Sequence, residues 1–208
     1  MHKLERLARC VSPPIDHVLD IGANCGVFSK MVLDFGAADN VIAFEPSPSL
    51  AGVLRLNCGD SVNIEPIAIS QSDGEASFFR NPKSEQTNSL QRSSVQVFAK
   101  EIDEITVPTK SIDSYVESKA ISGNIVMKID VQGAEMDVIS GASRTLSSVE
   151  TVIIEASWLD INSVRAALKL AELFPYCYVV NSVLHGSDLA FTRSPITAEI
   201  KDLYLFQA

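Results

Sequence analysis

The feature that most constrains this chain is a rhythm in its first third. The stretch "HVLDI" (17–21) is an apolar run of strand length, and "GVFSKMVLDFG" (26–36) follows with Val27, Phe28, Met31, Val32 and Phe35 at helical spacing and Gly36 as a stop. "VIAFE" (41–45) is a second strand, and "SPSLAGVLRLNCG" (47–59) a second helix with Ser47 at its N-cap, Pro48 in its first position and Gly59 at its end. "VNIEPIAIS" (62–70) returns as a third strand. Strands that alternate with helices predict parallel pairing through right-handed crossovers. Their near-continuous apolar character fits a sheet covered by helices on both faces.

Residues 71–106 break the rhythm with a Ser-, Gln- and Asn-rich stretch that holds one short candidate strand, "EASFF". Long connections of this kind are functional or mobile more often than incidental. The alternation then resumes with "NIVMKID" (124–130), the helix "AEMDVISGASRTL", "VETVIIEAS" (149–157) and the amphipathic helix "INSVRAALKLAELF" (161–174). "YCYVV" and the terminal "KDLYLFQA" read as two final strands, paired antiparallel. The chain reads as one domain over residues 1–208, with residues 1–16 a helical lead-in and 71–106 a polar insert near the site of an acceptor.

Composition narrows the function. At 46% hydrophobic residues the chain is globular, and a net charge of −9 opposes general binding to a phosphate backbone. Cys10, Cys25, Cys58 and Cys177 form no C-x-x-C pair and have no histidine near enough to complete a zinc pattern, so they read as reduced thiols. No metal set is legible. The N-terminus lacks the apolar core of a signal peptide and no apolar run reaches the roughly 20 residues of a bilayer span. The expectation is a cytoplasmic protein.

The turn "DIGANCG" (20–26) carries the chemistry. Ligands in open parallel sheets sit beyond the carboxyl ends of strands, near the point where strand order reverses. A dinucleotide site asks for G-x-G-x-x-G, which from Gly22 fails at Asn24 and Val27. A carboxylate at Asp20 also repels a pyrophosphate, whereas it suits a ligand with a cationic sulfonium. Glu45, at the end of the second strand, can accept from both ribose hydroxyls, a device that NAD enzymes share.

"VLDIGANCGVFS" resembles the first motif of class I methyltransferases, and "KIDVQGAEMDVISGA" (128–142) resembles the signature segment of the FkbM family among them. "FEPSPS" and "IAISQSDGEASFF" are similar to the segments between. The resemblance implies a Rossmann-like α/β fold with a seven-stranded, mostly parallel sheet whose last strand is antiparallel. It implies S-adenosyl-L-methionine as cofactor and a small-molecule or carbohydrate hydroxyl as methyl acceptor. Asp20, Gly22, Asn24 and Gly26 would surround the methionine end, Glu45 the ribose, and Ala68 and Ile69 the adenine. Asp130 would close the site. The family favours Glu where this chain has Gln132, which leaves an acid–base role at that position in doubt.

Asp130 and Glu135 are the candidate catalytic bases, with Glu155 behind them. Each has a structural alternative: cofactor contact for Asp130, a helix N-terminal acid for Glu135, a buried supporting acid for Glu155. His17 reads as structural. His185 and Trp158 could face an acceptor or serve only as a loop residue and a rim aromatic. Two other functions stay open at this point: a cofactor-binding protein without transfer activity, and an NAD-dependent oxidoreductase.

Overall fold

Asp20 and Lys128 stand directly opposite each other on two neighbouring parallel strands at the centre of the sheet. A computed structural model describes residues 15–38, 40–184, 186–196 and 204–206. The lead-in predicted over 1–16 falls almost wholly outside these residues.

The first strands and helices lie where periodicity puts them: β1 (His17–Ile21), α1 (Val27–Asp34), β2 (Asn40–Phe44), α2 (Pro48–Cys58) and β3 (Asn63–Glu65). The predicted third strand is divided. Pro66 has no N–H to give a ladder, and beyond it β4 (Ala68–Ile69) leaves the main sheet and pairs instead with β6 (Asp103–Lys110). The polar insert is therefore structured. β5 (Gly74–Arg80), which contains the predicted "EASFF", pairs antiparallel with β6, and α3 (Arg92–Gln96) lies between them in sequence. Sequence reading passes over β6 because its inward residues, Ile105 and Val107, alternate with charged and hydroxyl side chains.

The later elements are α4 (Ile112–Ser118), β7 (Ile125–Ile129), α5 (Glu135–Ser140), β8 (Val149–Ser157), α6 (Ile161–Leu173), β9 (Tyr176–Val183), β10 (Gly186–Thr192) and β11 (Tyr204–Phe206). The main sheet runs β11-β9-β10-β8-β7-β1-β2-β3. The expected seven-stranded, mostly parallel sheet is present from β3 to β9, and β11 extends its edge. The antiparallel member is β10, which pairs with β8 on one side and β9 on the other. It is missed in sequence because it opens on Gly186, Ser187 and Asp188, which look like a turn. α5 is shorter than predicted, and its chain continues into a 3₁₀ turn at Thr145–Ser148.

Strand alternation divides the core between the two faces. Leu19, Ile21, Met127, Ile129 and Ile154 pack with α5 and α6, while Val18, Val41, Val126 and Ile153 pack with Phe28 and Val32 of α1 and Leu54 of α2. Asp20 and Lys128 share the second face, and Lys128 Nζ lies 5.8 Å from the centroid of the Phe28 ring. The chain passes from β1 outward to β3 and later returns as β7 on the other side of β1. The reversal therefore falls at β1, and crevices open beyond the carboxyl ends of such strands.

The loop after β1 meets the loop after β7 at Gly22. Its φ is +77°, and a Cβ there would lie 2.0 Å from the Asp130 carbonyl oxygen. Gly22→Ala should therefore cost about 2–4 kcal/mol by urea denaturation. Gly52→Ala, inside α2 with nothing within 4 Å of the new methyl, should instead stabilise by about 0.5–1 kcal/mol. Lys128→Met should destabilise by about 3–5 kcal/mol in the same measurement, because it leaves the Asp20 charge buried alone.

Candidate functional site

Asp20 is fully buried and its carboxylate is shared between two neighbours. Oδ2 accepts from Ser29 Oγ of α1 at 2.6 Å, and Oδ1 lies 3.3 Å from Lys128 Nζ. Lys128, only 8% exposed along its side chain, also lies 3.4 Å from Asp130 Oδ2 and donates to the Gly22 carbonyl at 3.2 Å. Burial is the largest influence on this ammonium and pulls its pKa down. The charges of Asp20 and Asp130 outweigh it and hold the lysine above its ordinary value.

A cavity of about 450 Å³ opens beyond the carboxyl ends of β1, β2 and β7. Its floor is Ile21, Gly22, Ala23 and Asn24 from the loop after β1, with Lys128 and Asp130 beside them. Glu45, Pro46 and Leu50 form one side, and Ile67, Ala68 and Ile69 another. Gln132, Glu155 of β8 and Asp188 of β10 line the opposite end, and Phe78, Glu85, Thr87, Asn88 and Leu90 from the insert roof it. Seven sequence-predicted positions are thus brought together: Gly22, Asn24, Glu45, Ala68, Ile69, Asp130 and Glu155.

Asn24 and Glu45 are joined directly. Asn24 adopts a φ of 54°, its N–H donates to Glu45 Oε2 at 2.8 Å, and its Oδ1 accepts the Cys25 N–H at 2.7 Å. Glu45 Oε1 accepts the Ser47 N–H at 2.9 Å. Burial dominates and pushes the Glu45 carboxyl up to about 7, against these two N–H groups and the Lys128 charge, which pull it down.

The other end is organised by Gln132, whose backbone φ is 56°. Its Nε2 donates to Asp130 Oδ1 at 2.8 Å and to Glu155 Oε2 at 2.9 Å. One amide therefore uses both protons to hold two carboxylates, one just past the end of β7 and one on the adjacent β8. A glutamate at this position has no proton to offer them when ionised.

Three predicted site residues lie outside the cavity lining. Asp20 sits beneath the floor and reaches the cavity only through Lys128, because a carboxylate buried in the sheet requires a pairing charge. Gly26 has φ +81° and opens α1; a Cβ there would press on Cys58 Sγ at 2.9 Å and Leu54 Cγ at 3.0 Å. Glu135 turns back on its own loop, where Oε1 accepts the Gly133 N–H at 2.9 Å. Its Oε2 has no hydrogen-bond partner among the described residues, and burial pushes the carboxyl up to about 7. The structure does not bring this candidate base to the cavity. Trp158 is 49% exposed and also outside the lining. His185 lies outside the described residues.

Lys128, Glu85 and Asp188 are the charged lining residues that sequence reading missed. Lys128 left a signal, a lone cation in an otherwise apolar central strand, where an ion needs a partner. Asp188 left none, since its strand was not recognised. Among the described residues no helix is long and apolar enough to cross a membrane.

Comparison with known proteins follows the same lines. The chain is 30% identical over 162 residues to a hexuronic acid methyltransferase, AglP, of Haloferax volcanii, covering 76% of this chain and 63% of that protein. It is 26% identical over 183 residues to the 2-O-methyltransferase NoeI of Sinorhizobium fredii, covering 82% of this chain and 75% of that one. The chain thus spans somewhat under two thirds of the archaeal relative. Its fold matches a Streptococcus pneumoniae protein crystallised with S-adenosyl-L-methionine at a TM-score of 0.54, with 11% identity over 91% of this chain and 72% of that one. The model of the methyltransferase FkbM domain matches residues 20–175, and the chain belongs to that family.

Proposed function

We propose that this chain transfers a methyl group from S-adenosyl-L-methionine to a hydroxyl of a carbohydrate or natural-product acceptor. The observation that carries the reading is the charge of the cavity wall. Among the described residues, Glu45, Glu85, Asp130, Glu155 and Asp188 line it against the single cation Lys128. An acidic wall suits a ligand bearing a sulfonium and an ammonium and opposes a diphosphate, which argues against a nicotinamide dinucleotide. The volume falls within the range of pockets for ligands of this size.

The bound cofactor supplies an activated methyl group on a cationic sulfur. The protein's contribution is alignment, worth up to about 7–11 kcal/mol in well-oriented displacements. Glu45 takes the ribose hydroxyls with the acceptor capacity left after its two N–H bonds. Gly22 and Asn24 bring backbone close to the methionine portion, and Ala68 and Ile69 give the adenine an apolar bed. Asp20 acts at one remove, by fixing Lys128 under the floor.

The acceptor enters beside Asp130, Gln132, Glu155 and Asp188, with the insert forming part of its wall. Asp130 receives the hydroxyl proton while Gln132 and Lys128 hold its carboxylate in place. Glu135 has no part in this step. The names of the two relatives, one specifying hexuronic acid and one a 2-O position, support a sugar hydroxyl as the acceptor class.

Isothermal titration with S-adenosyl-L-methionine tests the cofactor, and formation of S-adenosylhomocysteine across a panel of glycosides tests the transfer. No heat of binding at millimolar cofactor would refute the reading. Glu45 adds a pH signature. Its carboxyl titrates at about 7, and ribose hydroxyls favour the ionised form, so affinity should fall as pH drops from 8 to 6. Glu45→Gln should weaken binding by roughly tenfold or more at pH 8. The wild type should lose more affinity than this variant on acidification, a difference that isolates Glu45 from the ligand's own ammonium.

A further inference from the structure

Asp130 and Glu155 are neighbours across two strands. Ile129 of β7 pairs with Ile154 of β8 in parallel register, so the residue after each stands beside the other at the carboxyl end of the sheet. Gln132 ties the two side chains together through one nitrogen, at 2.8 Å from Asp130 Oδ1 and 2.9 Å from Glu155 Oε2. Ionised carboxylates only accept, so contact with two of them fixes which end of the Gln132 amide is nitrogen.

Both carboxylates belong to the cavity wall. Asp130 keeps 31% of its side chain exposed, Glu155 is half-buried, and both line the cavity. Their surroundings hold them in place. Lys128 Nζ lies 3.4 Å from Asp130 Oδ2, and Glu155 sits within β8 with Asp188 of β10 in register on its far side. Asp188 itself is only 4% exposed, and its Oδ2 accepts from Asn181 Nδ2 at 3.0 Å. Glu155 therefore presents more of itself to a ligand than its register partner does. A carboxylate accepts several bonds at once, so these partners are compatible with a ligand's hydroxyl.

Two acceptors close enough to share one nitrogen call for two donors set equally close. Hydroxyls on adjacent carbons of a saturated ring supply them. A lone hydroxyl fills one position only. A site built to bond a substrate hydroxyl rejects the analogue that lacks it.

We propose that Asp130 and Glu155 together read a pair of adjacent hydroxyls on the acceptor, Glu155 being the residue that decides which hydroxyl is methylated. The assignment rests on the methyltransferase reading above and narrows its acceptor to a vicinal diol. The oxygen held at Asp130 bonds to the methyl carbon as the carbon–sulfur bond breaks, the bonding pair staying on sulfur. Its proton passes to Asp130, and the neighbouring hydroxyl at Glu155 keeps its own.

The test is saturation-transfer NMR on the wild-type protein, with and without S-adenosylhomocysteine. The probes are cis- and trans-1,2-cyclohexanediol, 1,3-cyclohexanediol, 2-methoxycyclohexanol and cyclohexanol. One of the two adjacent diols should bind roughly tenfold or more tightly than the last three probes. Glu155→Gln keeps an oxygen for the Gln132 amide and should bring that ratio close to one. Equal binding of all the probes to the wild type, or binding of none, would overturn the assignment with no substitution involved. So would a diol preference that Glu155→Gln leaves intact. A protein that prefers the adjacent diol yet binds no S-adenosylhomocysteine would refute the methyltransferase reading and leave the diol site standing, a distinct result.

Discussion

The pairing of Asp20 with Lys128 is the constraint on which the site depends. Both residues sit in the middle of a sheet whose other positions there are aliphatic, and neither charge is tolerable in that place alone. Register sets them side by side on β1 and β7. The lysine then reaches the Asp130 carboxylate and the Gly22 carbonyl. One buried cation thus connects the ends of both strands that flank the topological reversal, and the loops that follow those strands start from a fixed point.

Above that anchor, the loops are packed too closely for an ordinary side chain at position 22. The crowding lets the backbone after β1 and the backbone after β7 share one floor. Asn24 and Gln132, both in the left-handed region, then turn their amides toward carboxylates: Asn24 through its N–H to Glu45, Gln132 through its side chain to Asp130 and Glu155. Two non-glycine residues with positive φ on either side of one cavity are a concentration of strain where ligands are held. The acidic character of the wall is maintained by these amides and by Lys128, which keep neighbouring carboxylates apart.

The sequence shows the parallel core clearly because β1, β2, β7 and β8 are apolar on both faces and their helices carry an apolar stripe. It shows the loop after β1 for the same reason that the loop works: a glycine and an asparagine where the backbone must bend sharply. What it hides depends on tertiary pairing. Asp20 reads as a ligand contact because its partner lies 108 positions along the chain, on a strand whose register periodicity does not reveal. Glu135 reads as a base because its return to the Gly133 N–H follows from loop geometry. The insert reads as a loop because β5 and β6 each bury only one face, so polar residues make up half of each strand. β10 is concealed by a polar start, although every one of its residues is buried.

The position of β10 has a consequence for synthesis. It is inserted between β8 and β9, yet both of those precede it in the chain. Until the ribosome has released residues 186–192, β8 is an open hydrogen-bonding edge with β9 unable to reach it, and the wall that ends in Asp188 is missing. The pocket is thus completed by a segment made after both of its neighbours in the sheet, and a nascent chain that has already folded its first β-α-β units still lacks one side of its binding chamber.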